Sequence, residues 1–143
     1  MSGSSAAPAA VPDHSARSTT RSTLVTLWTA LLLAVLFRDV HEFFRPGLID
    51  QIRAGVVNGT AIGDGVLVAG GIGVLLGIGM LPVTRSAPRA AARLASLVVG
   101  PLTLAGVIAG GVHDADDILF LAAEAMIVVV IVTVAWRWGE GGT

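Results

Sequence analysis

Four apolar stretches, at about 24–44, 62–81, 94–112 and 118–138, are separated by connectors too short to hold a second domain. Each comes close to the ~20 residues a helix needs to cross the hydrocarbon of a bilayer. Lipid-facing backbone must satisfy its hydrogen bonds within its own segment, so helices are the economical solution. Short connectors make consecutive spans antiparallel neighbours. The expectation is an all-α membrane protein: four transmembrane helices in an antiparallel bundle. A soluble fold is closed off by composition. Only 13% of the 143 residues are charged and 54% are hydrophobic, against about 25% charged in soluble domains.

The flanks read differently. Residues 1–21 are rich in Ser, Ala and Pro with no apolar periodicity, and are expected to form a disordered tail. The transmembrane domain then covers 22–138, and 139–143 form a short second tail. Arg17 and Arg21 ahead of an apolar run also describe a signal peptide, but no small-residue cleavage site precedes Phe37-Arg38-Asp39, so the span is read as uncleaved. Pro82 is expected to close the second span, and Pro101 to kink the third.

Arginine placement sets an orientation. Arg17, Arg21, Arg85, Arg89, Arg93 and Arg137 fall on one side; Arg38, Arg45 and Arg53 fall on the other. The cationic excess normally stays cytoplasmic, which puts both termini inside. Trp136 and Trp138 at the inner end of span four, with Phe43 and Phe44 at the outer end of span one, suit interfacial aromatic belts. Between spans one and two, Leu48, Ile49, Ile52 and Val56 follow Pro46-Gly47 at near-helical spacing, which predicts a short interfacial helix. Asn58-Gly59 predicts a turn before span two.

Small residues recur at i+4 in span two, as Gly65, Ala69, Gly73 and Gly77, and span three carries Gly106 and Gly110. Such faces let helix backbones approach closely, so they are expected to pack inside the bundle, with homo-oligomerisation as the other use.

Ionisable groups within a membrane are costly and draw attention to function. Arg38, Asp39 and His41 end span one, Asp64 opens span two, and Glu124 lies six residues into span four, roughly 9 Å deep. All five belong to the outer third of the membrane. Asp64 is expected to cap its helix, and Asp116 or Asp117 to cap span four. His41 reads as an interfacial filler; pairing it with His113 as haem ligands fits poorly, since both stand at helix ends. The expected polar cluster is therefore Arg38, Asp39, Asp64 and Glu124. Paired with Arg38, Glu124 stays ionised; unpaired in an apolar setting, it holds a proton.

Other chemistry is poorly represented. Absence of Cys removes disulfides, thiol catalysis and thiolate metal sites. A net charge of -1 offers no basic field for nucleic acid. The glycine pairs of span two follow no strand, so they make no dinucleotide fingerprint. No cofactor or metal is expected, and no enzyme.

Leu27-Trp28, Asp39, Arg93-Leu94-Ala95-Ser96, Gly100, Gly106, Glu124 and Ala135-Trp136-Arg137-Trp138 resemble the pattern of a family of small bacterial four-helix membrane proteins known only as a domain of unknown function. The likeness spans about 24–138 and implies four spans, with attention on Asp39 and Glu124. It departs at Ser96, where the family tends to carry Asn. It implies no activity. Together these readings lead to a structural or accessory protein of the bacterial cytoplasmic membrane. The alternative is a small proton-coupled carrier, or a binder of a small molecule or lipid, using an outer-leaflet carboxylate pocket.

Overall fold

The computed structural model describes residues 14–112 and 115–140, with side chains at 18–112 and 115–139. The elements in chain order are α1 (His14–Glu42), α2 (Leu48–Arg53), β1 (Val56–Val57), β2 (Thr60–Ala61), α3 (Asp64–Ser86), α4 (Arg89–Ala109) and α5 (Ala115–Glu140). Four helices are long and apolar enough to cross a membrane: 25 residues within α1, 23 in α3, 21 in α4 and 25 in α5.

Helix boundaries differ from the sequence expectation in three places. The tail expected over 1–21 is helical from His14 onward, while 1–13 lie outside the described residues. Once a helix is nucleated, each added residue gains a hydrogen bond for little entropy, so α1 extends past its apolar part. Pro82 does not close α3, which runs on to Ser86. A proline removes only one ladder donor, and the turn beyond it is held from outside by Arg21. The third span starts at Arg89 rather than at about 94, because extended Pro88 (φ -51°, ψ 146°) ends the connector and Arg-Ala-Ala-Ala favours helix. Pro101 lies within α4, on its exposed side.

The first connector folds compactly. Gly47, at φ 82°, lets the chain turn into α2, whose Leu48 is buried. Asn58 and Gly59, both at positive φ (51° and 79°), make the two-residue turn of a small hairpin that pairs Val56 with Ala61 and Val57 with Thr60.

The core is uneven along the helices. Buried positions of α5 (Asp117, Glu124, Val128, Ile131, Ala135, Trp138) are seven residues apart at first and then three or four, so one stripe faces inward. It meets Leu24, Trp28 and Leu31 of α1, and Ala92, Ser96 and Gly100 of α4. From α3 only Gly77, Met80 and Thr84 are buried. Gly77 lies against Leu32, and Gly100 against Val128 and Ile131.

One end of this arrangement is tied by arginines. The Arg21 guanidinium donates to the carbonyls of Thr84 (2.8 Å), Arg85 (3.1 Å) and Ala87 (2.8 Å), so it caps the end of α3. Its carbon also stands 5.3 Å from the Trp138 ring centroid. Arg93 donates to the Ala135 carbonyl (3.2 Å) and stacks 5.8 Å from the Trp136 ring. Trp136 is exposed, but Trp138 is 8% exposed and belongs to the core. Both tryptophans thus stand beside an arginine, and burial alone separates them: helix packing claims Trp138 and leaves Trp136 exposed.

Candidate functional site

At the opposite end the helices leave a space. A cavity of about 610 Å³ lies between α1, α3 and α4, lined by Trp28, Leu32 and Val35 of α1, Val66, Gly70 and Gly73 of α3, and Leu102 and Gly106 of α4, among others. The cause is local. Along 64–76 every residue of α3 is exposed, and its many glycines present no side chain to fill the gap. A Cβ added at Gly65, Gly70, Gly73 or Gly106 would meet nothing within 4 Å.

The close packing expected of the small-residue face is thereby corrected. Gly77 does approach a neighbour, since a Cβ there would stand 2.8 Å from Leu32 Cδ2. Ala69, Gly73, Gly106 and Gly110 instead line the cavity, which Gly77 also borders. Gly65 faces open space outside it. Glycine lowers the apolar bulk on a helix face, and that can admit a neighbouring helix or leave a hollow. Here the neighbours are held apart at this end and together at the other.

Two charged residues line the cavity, Arg38 and Asp39, both from the last turns of α1. Arg38 Nη1 lies 3.6 Å from Glu124 Oε2 across the α1–α5 contact. The Glu124 side chain is 1% exposed and the Arg38 side chain 15%. Neither Glu124 oxygen has a hydrogen-bond partner, so Arg38 is its direct ionic contact. Glu124 is not part of the cavity wall. The pocket that the sequence reading assigned to Glu124 is faced by Asp39, which is exposed and makes no hydrogen bond or ion pair among the described residues. Helical spacing explains the exchange: residues 38 and 39 are about 100° apart on α1, so one turns toward α5 and its neighbour away. Asp117, 5% exposed on α5, acts with Asp39 on the electrostatics of the Glu124 carboxylate.

Asp64 does not join the cluster. It is exposed in the first turn of α3, and no side-chain hydrogen bond caps that helix, whose cap residue is Gly63. The capping expectation therefore fails; an acid in the first turn still opposes the helix dipole favourably. His41 does more than fill space: its Nδ1 lies 2.6 Å from Asp116 Oδ2, bridging α1 to the start of α5. Asp116 and Asp117 occupy the first turn of α5, while His113 and Asp114 lie outside the described residues. Among the described residues no group of three or more His, Cys, Asp or Glu could hold a metal ion. Ser96 is fully buried and donates to the Ala92 carbonyl of its own helix (2.9 Å).

Charge is segregated between the two ends. Among the described side chains, Asp39, Glu42, Asp50, Asp64, Asp116, Asp117 and Glu124 share the cavity end with Arg38, Arg45 and Arg53. Each of these arginines meets a carboxylate: Arg38 with Glu124, Arg45 with Glu42 (2.7 Å) and Arg53 with Asp50 (3.7 Å). Arg21, Arg85, Arg89, Arg93 and Arg137 occupy the other end. The sequence brought Arg38, Asp39 and Glu124 together and allowed an outer pocket, but set that pocket at Glu124 rather than along the glycine-rich face of α3; the density of glycine in 63–79 was the available signal.

Comparisons of the chain with protein-family models, with curated proteins and with solved structures found no match.

Proposed function

We propose that this chain is a multi-pass protein of the bacterial cytoplasmic membrane that binds a small lipophilic molecule or lipid chain in the cavity between α1, α3 and α4. In this reading the helices form an antiparallel bundle, both termini are cytoplasmic, and α2 lies in the outer interface. Contacts of Arg21 with the ends of α3 and α5, and of Arg38 with Glu124, support the antiparallel arrangement. The arginine-rich end supports the orientation.

The observation that carries the binding reading is the cavity itself. Its about 610 Å³ falls within the roughly 300–1,000 Å³ of small-molecule sites, and a largely apolar wall with few polar groups is their usual character. A purely structural role accounts for the buried Arg38–Glu124 pair, which ties α1 to α5. It does not account for α3 standing off from its neighbours. Binding requires no catalytic group, so the proposed role is non-enzymatic.

The test is a titration of the purified protein in dodecyl maltoside with N-phenyl-1-naphthylamine, a neutral lipophilic dye that brightens in apolar surroundings, with protein-free micelles subtracted. Saturable binding is expected, weakened about tenfold (~1.4 kcal/mol) by Gly73→Leu, which fills the cavity. Unsaturable signal, or a Gly73→Leu variant with unchanged binding, refutes the proposal. A particle mass that falls from dimer to monomer in Gly73→Leu would show a helix from a second copy in the cavity, and would likewise refute the proposal.

A further inference from the structure

The charge distribution around the cavity selects among lipophilic ligands. We infer that the cavity takes lipophilic cations, with the apolar body of the ligand against the glycine-rich faces of α3 and α4 and its charge beside Asp39. This rests on the reading of the cavity as a binding site and adds the ligand class to it.

Arg38 is the only cation on the wall, and its charge is engaged. Glu124 stands 3.6 Å from it, is 1% exposed, and has no hydrogen bond to either oxygen. An anionic ligand could recruit Arg38 only by competing with that carboxylate, and a buried carboxylate deprived of its one ionic partner is strongly disfavoured. Asp39 is the opposite case. It lies on the cavity wall, is exposed, and makes no hydrogen bond or ion pair among the described residues. A cation arriving beside it breaks no hydrogen bond or ion pair; the neighbouring charge that acts on Asp39 is Arg38, which is itself held by Glu124.

The wider field acts in the same sense. The cavity end carries seven described carboxylates against three arginines, and each arginine is already matched to a carboxylate. Asp64 begins the same helix that supplies Val66 and Gly70 to the wall. One sign of charge around a low-dielectric cleft concentrates ions of the opposite sign there. A lipophilic anion would meet this field unfavourably at every step from solution to the wall.

Two probes of equal shape and opposite charge decide the matter: tetraphenylphosphonium and tetraphenylborate, each used to displace N-phenyl-1-naphthylamine from the full-length protein in dodecyl maltoside. Tetraphenylphosphonium is expected to displace the dye at a concentration at least tenfold lower than tetraphenylborate, after correction for partition into micelles. Asp39→Asn is expected to remove most of that preference, so that the two probes displace the dye at concentrations within about threefold of each other. Asp39 makes no hydrogen bond or ion pair among the described residues for this variant to lose, and an unchanged helical circular dichroism spectrum verifies that the fold is kept. Equal displacement by both probes, stronger displacement by the borate, or a preference untouched by Asp39→Asn overturns the inference while leaving the cavity as a site. Absence of dye binding to the unaltered protein overturns both.

Discussion

Removing the Arg38 charge isolates Glu124, and the size of the effect can be worked out from the geometry. At 3.6 Å, two unit charges attract by about 4–5 kcal/mol at an effective dielectric of about 20. Glu124 is fully buried and holds no hydrogen bond that would compensate the loss. A stranded carboxylate has one escape, which is to take up a proton. From an ordinary carboxylate value, that costs about 3–4 kcal/mol at pH 7, and this caps the penalty. Arg38→Leu alone is therefore expected to destabilise the protein by about 3 kcal/mol. In a Glu124→Gln background the same substitution has no buried charge to strand, and should cost no more than about 1 kcal/mol. The coupling between the sites is then about 2 kcal/mol or more, in the range measured for groups in direct contact. Sodium dodecyl sulfate titrated into dodecyl maltoside micelles, followed by the combined fluorescence of Trp28, Trp136 and Trp138, measures each corner of the cycle. Additivity within about 0.5 kcal/mol would refute the argument, because the two side chains would then not share their burial cost.

Two further predictions concern packing and capping. Gly77→Ala places a Cβ 2.8 Å from Leu32 Cδ2, so an overpacking cost of about 1 kcal/mol offsets a similar gain in helix propensity and a net change near zero is expected. Gly73→Ala meets nothing within 4 Å and should be neutral or stabilising by up to about 1 kcal/mol, through helix propensity; the same detergent titration ranks the two, and a reversed order would contradict the packing described. Arg21→Ala removes three hydrogen bonds at the end of α3 and a contact with Trp138, for an expected loss of about 2–3 kcal/mol. Hydrogen exchange should show the amides after Pro82 opening first, and unchanged protection there would mean that the cap does not hold this turn.

The helices were legible because their signal is local. Long apolar segments bounded by arginine clusters and turn residues need no knowledge of their neighbours to be recognised. Asn58-Gly59 likewise announced its turn, because few residues accept positive φ at two successive positions. The Arg38–Glu124 contact was one of the alternatives the chain left open: a buried carboxylate needs a counter-charge or a proton, and Arg38, at a matching depth, could equally have met Asp39. Helix ends were less legible. Pro82 reads as a stop signal, and only the guanidinium of Arg21, 61 positions earlier in the chain, shows why the helix continues.

The glycines mark the boundary between the two kinds of knowledge. Their absent side chains, the segregation of acid from arginine and the adjacency of Arg38 to Asp39 are all properties of the chain read alone. Whether a bare helix face closes on a neighbour or opens a hollow depends on how three helices are tied at a distance. Arg21 and Arg93 bind one end together, while nothing fills the face of α3 at the other. The same tertiary arrangement turned Arg38 toward Glu124 and left Asp39 on the cavity wall. Periodicity can say that neighbouring residues point in different directions; only the packing of the other helices decides which of them meets a partner and which meets open space.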